Sequence, residues 1–154
     1  MTKKKLEPFR VENSTINLER IDFEEILNEI NPIIFDTNFL FTTFEFNVDV
    51  ISELKRLVGS KFSLYIYEGT IEELKNIEKK KEKNKKYLPL IIKMLKVYNF
   101  KIIRSKIAYI DEQILSNLNK KVLVATNDKE LRELIHAQQF RILYLRQKSY
   151  LEIK

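Results

Sequence analysis

A chain of 154 residues is long enough to bury one sizeable core, and 44% hydrophobic with 32% charged residues is an ordinary globular balance. It has no cysteine, which excludes disulfides, thiolate zinc sites and cysteine nucleophiles, and two glycines, Gly59 and Gly69, cannot build a P-loop or a dinucleotide-binding glycine motif. The 28 Lys and Arg against 22 Asp and Glu leave +6, which suits a polyanionic partner, while no apolar run nears the width of a bilayer, so no membrane association is expected.

Residues 1–31 read as an N-terminal extension with a short helix, in which Asp22 caps Phe23, Ile26, Leu27 and Ile30 and the Asn31-Pro32 pair ends the turn. Its basic start, Met1-Thr2-Lys3-Lys4-Lys5, lacks the apolar stretch of a secretory signal, and a cytoplasmic protein is expected. From Pro32 to about residue 150 short apolar strands alternate with amphipathic helices. The strands are expected at 33–35, 62–67, 100–103, 122–125 and 140–145, and the helices at 48–58, 71–81, 87–98, 109–118 and 128–137. Such alternation implies right-handed crossovers and a three-layer α/β/α sandwich around a mostly parallel, five-stranded sheet.

In sheets of this kind, sites form just beyond the carboxyl ends of the strands. Four carboxylates fall there: Asp36 after the first strand, Glu73 and Asp111 in the helices after the second and third, and Asp128 after the fourth. At about 100° per helical residue, Glu73 borders the stripe of Leu74 and Ile77, Asp111 shares a face with Ile114 and Leu115, and Asp128 lies on the side of Leu131 and Ile135. Glu72, Glu112, Glu130 and Glu133 turn away. Carboxylates drawn together and desolvated take up protons unless a cation lies among them, and all-oxygen ligation suits Mg²⁺ or Mn²⁺ better than zinc. Each residue also has a plain structural role open to it: Asp36, Asn38, Thr126 or Asn127 as a helix cap, Asp111 and Asp128 as favourable charges at a helix start, Glu73 as a surface residue.

A second feature is basic. Lys75, Lys79, Lys80, Lys81, Lys83, Lys85 and Lys86 are opposed only by Glu78 and Glu82, either as a solvated helix end or as a grip on phosphates, which Lys101, Arg104 and Lys106 would extend. Tyr65, Tyr67 and Tyr87 are candidates for base stacking, with core packing the plainer reading. His136 is the single histidine and supplies neither a multi-histidine metal site nor, without a serine elbow, a triad.

Together, Asp36-Thr37-Asn38 after an apolar strand, Glu73-Leu74, Asp111 three residues before Ile114, and Thr126-Asn127-Asp128 resemble the PIN-domain nucleases over about Pro32 to Tyr150. Phe39-Leu40, Phe46-Asn47-Val48-Asp49, Ala125 to Leu131 and Ile142 to Lys148 narrow the likeness to an archaeal subgroup similar to the rRNA-processing endonuclease of the eukaryotic small-subunit processome. The resemblance implies strand order 3-2-1-4-5, Mg²⁺ or Mn²⁺ held by Asp36, Glu73, Asp111 and Asp128, and endonucleolytic cleavage of RNA, such as a ribosomal RNA precursor. It further implies that Thr126 positions a ligand or water, that Asn38 supports Asp36, and that a homodimer is open to the chain. Two other readings share these residues: a VapC-type toxin ribonuclease, and a catalytically weak RNA-binding PIN module gripping RNA through Lys79, Lys80, Lys81, Lys83, Lys85, Lys86 and Arg104. A HAD-type phosphatase is disfavoured, because Asn38 stands where that chemistry wants a second Asp.

Overall fold

The computed structural model describes residues 6–11, 14–80, 82–105 and 109–154. In chain order they form β1 (Leu6–Val11), β2 (Ser14–Ile21), α1 (Phe23–Ile26), β3 (Pro32–Phe35), α2 (Thr37–Glu45), α3 (Val50–Val58), β4 (Ser63–Tyr67), α4 (Glu68–Lys79), a 3-10 turn (Lys83–Tyr87), α5 (Leu88–Val97), β5 (Lys101–Ile103), α6 (Ile110–Ser116), β6 (Leu123–Ala125), α7 (Lys129–Ala137), β7 (Ile142–Arg146) and β8 (Tyr150–Ile153). The sheet order is β1-β2-β5-β4-β3-β6-β7-β8. Its central five strands, β5-β4-β3-β6-β7, are all parallel and run in the expected 3-2-1-4-5 order.

Strand alternation sorts the core into two layers of contact. Ile33 and Phe35 of β3, with Leu64 and Ile66 of β4, face Phe39, Leu54, Leu74, Leu95 and Phe100. Ile34, Tyr65 and Tyr67 point the other way, toward Ile110, Ile114, Leu131 and Ile135. Helices α2 to α5 therefore cover one face and α1, α6 and α7 the other. Phe35 anchors the first layer through edge-to-face contacts with Phe39 (5.0 Å between centroids) and Phe100 (5.2 Å).

Three expectations need correction. The five-stranded sheet has eight strands, because residues before Pro32 carry more than a short helix: β1 and β2 form a hairpin, and β2 runs parallel to β5 through Arg20 and Ile21. The helix after Asp22 is a single four-residue turn. At the opposite edge, β8 returns antiparallel to β7 beyond the last strand read from sequence. Asn31 and Asn99, both in left-handed backbone that asparagine tolerates, make the tight turns into β3 and β5.

Candidate active site

The topology decides where a site can form. β3 lies between β4 and β6, so the chain leaves it toward one side and returns on the other, opening a crevice beyond its carboxyl end. Asp36 stands at that point. Its backbone N–H continues the β3–β6 ladder by donating to Ala125 O at 2.9 Å. Its carboxylate is held on both oxygens: Oδ1 accepts from the Thr37 backbone N–H at 2.9 Å and Oδ2 from the Thr126 hydroxyl at 2.8 Å. Asp36 is thereby the N-cap of α2, so the capping role and a place in the crevice are the same geometry.

Asp36 is only 6% exposed. Burial pushes its carboxyl up to about 6; the Thr126 and Thr37 hydrogen bonds resist, and the charges of Asp111 and Asp128 push further upward. Glu73, in the second turn of α4, is raised to about 7, first by desolvation, then by Asp36, with the Thr37 hydroxyl opposing and Asp111 adding. Its residue surface is nonetheless exposed, and solvent on that open side screens it, so Asp36 carries the electrostatic argument. Asp111 is also raised, by desolvation and then by Asp128 and Glu130. Asp128 caps α7, accepting from Leu131 N–H at 3.0 Å. The charges of Asp111 and Asp128 thus act on Asp36, and those of Asp36 and Asp111 on Glu73, which gathers side chains from four separate stretches at the same end of the sheet.

The structure alters several of the roles expected for individual residues. Asp111 is exposed, not on a burying face, because Ile110, Gln113 and Ile114 take the buried side of the seven-residue α6. Thr126 is fully buried, and its hydroxyl donates to Asp36 and accepts from the Asp128 N–H (3.2 Å), so it positions the carboxylates. Asn38 is exposed and does not hydrogen-bond Asp36; the Thr37 N–H does that work. Glu130, read as turned away, lies near enough to raise Asp111.

The positioning roles of three further residues escaped the sequence reading. Thr37 and Thr70 share a buried hydroxyl contact at 2.9 Å that fixes α2 against α4 and so places Glu73 beside Asp36. Asn127 accepts from the Leu145 N–H at 2.8 Å, pinning the β6 loop to β7. Only the TND run hinted at this, and a cap was the simpler inference.

Among the described residues no three acidic or histidine side chains form a ready-made metal cage. The donor set still fits a hard dication. Mg²⁺ is held by one or two carboxylates and keeps several waters, and a carboxyl raised first by burial and then by like charges gains most from a cation. Asp36, Glu73, Asp111 and Asp128 are the residues that would hold it. Removing the Thr126 hydroxyl tests the arrangement: Thr126→Val is expected to weaken Mg²⁺ binding by roughly tenfold to a hundredfold in calorimetric titration. Unaltered affinity would show that the Thr126–Asp36 bond does not shape the site.

The basic residues divide. Lys79, Lys80, Lys83, Lys85 and Lys86 are exposed, with Lys86 over the ring of half-buried Tyr87 at 5.2 Å. Lys81 and Lys106 fall outside the described residues. Arg104 is tied to Asp22 at 3.1 Å and Lys101 to Glu29 at 2.6 Å, so neither is free to grip a phosphate without breaking an ion pair. Tyr65 and Tyr67 are fully buried and cannot stack on bases. A cleft of about 290 Å³ joins Asn38, Phe41, Glu73, Ile77 and Asn84, and so connects the lysine-bearing 3-10 turn to the acidic crevice. His136 is exposed on α7.

A parallel sheet ordered in this way, with carboxylates gathered at its switch point, defines a PIN-type α/β domain. Residues 33–148 match the family model described as PIN like domain, and the chain belongs to that family. It is 36% identical over 124 residues to Ribonuclease VapC4 of Methanocaldococcus jannaschii, an alignment that covers 79% of this chain and 95% of that protein. Its fold is also similar to the solved PIN domain endonuclease Utp24, with a TM-score of 0.64 over 83% of this chain and 94% of that one, at 20% identity.

Proposed function

We propose that this protein is a Mg²⁺- or Mn²⁺-dependent endoribonuclease, with Asp36, Glu73, Asp111 and Asp128 as its acidic centre and residues 32–150 as the nuclease unit. The observation that carries the reading is the buried, doubly hydrogen-bonded Asp36 carboxylate held beside three other acids. A dication bound there would lower the pKa of an attacking water and stabilise the leaving oxygen of a phosphodiester. The chain's own residues do the rest. Thr37 N–H and Thr126 hydroxyl hold Asp36 in one orientation, the α7 N-terminus fixes Asp128, and Thr70 through Thr37 sets the approach of Glu73. The test is cleavage of single-stranded RNA by the purified chain, which is expected with Mg²⁺ or Mn²⁺ and absent in EDTA.

The substrate we favour is a ribosomal RNA precursor in a cytoplasmic setting, on the resemblance of the motifs above. A second reading, a VapC-type toxin ribonuclease, is favoured by the 36% identity to Ribonuclease VapC4. Growth arrest on expression, relieved by a neighbouring gene product, separates the two. A homodimer would bury the exposed apolar side chains Leu90 and Val97 of α5 and Tyr98 at its C-cap.

The exposed lysines would hold the strand by its phosphates. Neutralising Lys79, Lys80, Lys83 and Lys85 to Gln is expected to weaken binding to all RNAs alike. If each touches a phosphate, the salt slope of log Kd should flatten by roughly 2 to 3. A slope that stays put would clear these residues of phosphate contact.

A further inference from the structure

We infer that a concavity between α7 and the β7–β8 hairpin is a second phosphate-binding site, taking a backbone phosphodiester of the RNA strand that the acidic centre cuts. The inference rests on the nuclease reading for the identity of the strand, but not for the presence of the site.

Lys129, Arg132, Glu133 and His136 are spaced at i, i+3, i+4 and i+7, which puts them on one face of α7. Together with Tyr144 of β7 and Lys154 they line a pocket of about 200 Å³. Arg132 is built into it. Its guanidinium lies 4.9 Å over the Tyr144 ring, and the Tyr144 hydroxyl donates to Glu152 Oε2 at 2.8 Å, which fixes the ring from behind. Glu152 is in turn held by Arg146 at 2.7 Å and is therefore already engaged.

The cations of the pocket have no carboxylate among the described residues within ion-pair distance, although Glu133 lines it and Glu152 acts on Lys154 from farther off. Among the described residues Lys129, Arg132, His136 and Lys154 form no ion pair, whereas Arg56, Lys75, Lys101, Arg104 and Arg146 each have a carboxylate within 4.0 Å. Arg132 Nε is buried with no hydrogen-bond partner, a condition native proteins seldom leave uncompensated. Glu133 is the one opposing charge on the lining, and it bridges to none of them. A flat guanidinium backed by an aromatic ring presents its edge in the fork that suits two phosphate oxygens, with the lysines as point charges beside it.

Position links the pocket to the crevice. Asp128 caps the same helix, and the Arg132 N–H donates to Asp128 O at 2.9 Å. A strand lying across the carboxylates would run onto the Lys129–Arg132 face within a turn of helix. The lysine-bearing 3-10 turn lies on the opposite side, against α2 and α4, so the two basic features would hold the strand on either side of the cut.

The test is fluorescence anisotropy with the full chain and a labelled single-stranded oligoribonucleotide in EDTA, where no cleavage enters. Lys129→Gln with Arg132→Gln is expected to raise Kd about tenfold at moderate salt and to flatten the salt slope by roughly 1.4, the share of two phosphates on a single strand. Lys61→Gln, exposed and remote from the pocket, should leave the slope lower by less than one contact. Arg132→Lys keeps the charge but loses the fork, and its intermediate Kd guards against a misfolded Gln variant. Unchanged Kd and slope in every pocket variant overturn the proposal. So does dependence of binding on the RNA's terminal phosphate, since that marks a site for a free phosphate and not for a backbone phosphodiester. Pocket-dependent binding by a chain that cuts no RNA with Mg²⁺ or Mn²⁺ would uphold the pocket and sink the nuclease reading. Cutting with pocket variants that bind normally would do the reverse.

Discussion

Asp36→Asn is expected to reduce RNA cleavage by at least about a thousandfold with Mg²⁺ or Mn²⁺ present, while RNA binding in EDTA stays within about twofold. The size follows from what the substitution removes. A bound dication contributes several kcal/mol of charge stabilisation in phosphoryl transfer, and about 4 kcal/mol is a thousandfold in rate. Asparagine is nearly isosteric and its amide oxygen can still accept from Thr37 N–H, so the β3–α2 corner should survive. The amide cannot balance a cation in a buried position. Binding should hold because the lysines and the α7 pocket lie apart from Asp36. The measurement is a time course of cleavage beside circular dichroism, and near-normal turnover in a folded variant would remove Asp36 from the chemistry.

The central sheet was legible because its strands are short, apolar and separated by amphipathic helices; periodicity alone gives the five parallel strands. The edges were not. β1 and β2 alternate polar and apolar residues as a half-exposed hairpin does, with Thr15, Ile16, Asn17 and Leu18 in sequence, and nothing local says that β2 pairs with β5. Helix α2 was hidden for a different reason: Thr37, Phe39, Phe41, Thr42, Thr43 and Phe44 are β-branched or aromatic and favour strands. Its helicity comes from the Asp36 cap and from burial of Phe39 and Leu40, which is tertiary context overriding propensity. At the site, the four acids could be read because each follows a strand or sits early in the next helix. The hydrogen bonds that orient them could not, since Thr37, Thr70 and Thr126 look like ordinary helix-start and turn residues until the strands are placed side by side.

That arrangement also predicts how stability responds to pH and metal. Asp36 and Glu73 are raised to about 6 and about 7 in the fold, so the native state binds protons that the unfolded chain has already released. A raised folded pKa contributes stability that is present in acid and lost as pH climbs through the folded value. The metal-free protein should therefore lose stability between pH 5 and pH 8, by about 1.4 kcal/mol from Asp36 alone, or roughly 4 °C in Tm, with Glu73 adding less because solvent screens it. Glu53, Asp49 and Glu152 are lowered instead, and their contributions vanish only in stronger acid, below this window. Mg²⁺ acts on the same carboxylates, competing with protons and stabilising the native state by mass action. Its increment in Tm should be larger at pH 8 than at pH 5, and Asp36→Asn should shrink both the metal increment and the pH slope. Thermal melts in EDTA and in excess Mg²⁺ at the two pH values measure this directly. A metal-free Tm that climbs with pH, together with equal Mg²⁺ increments at both, would show that the acids do not crowd one another and that no dication is needed to hold them there.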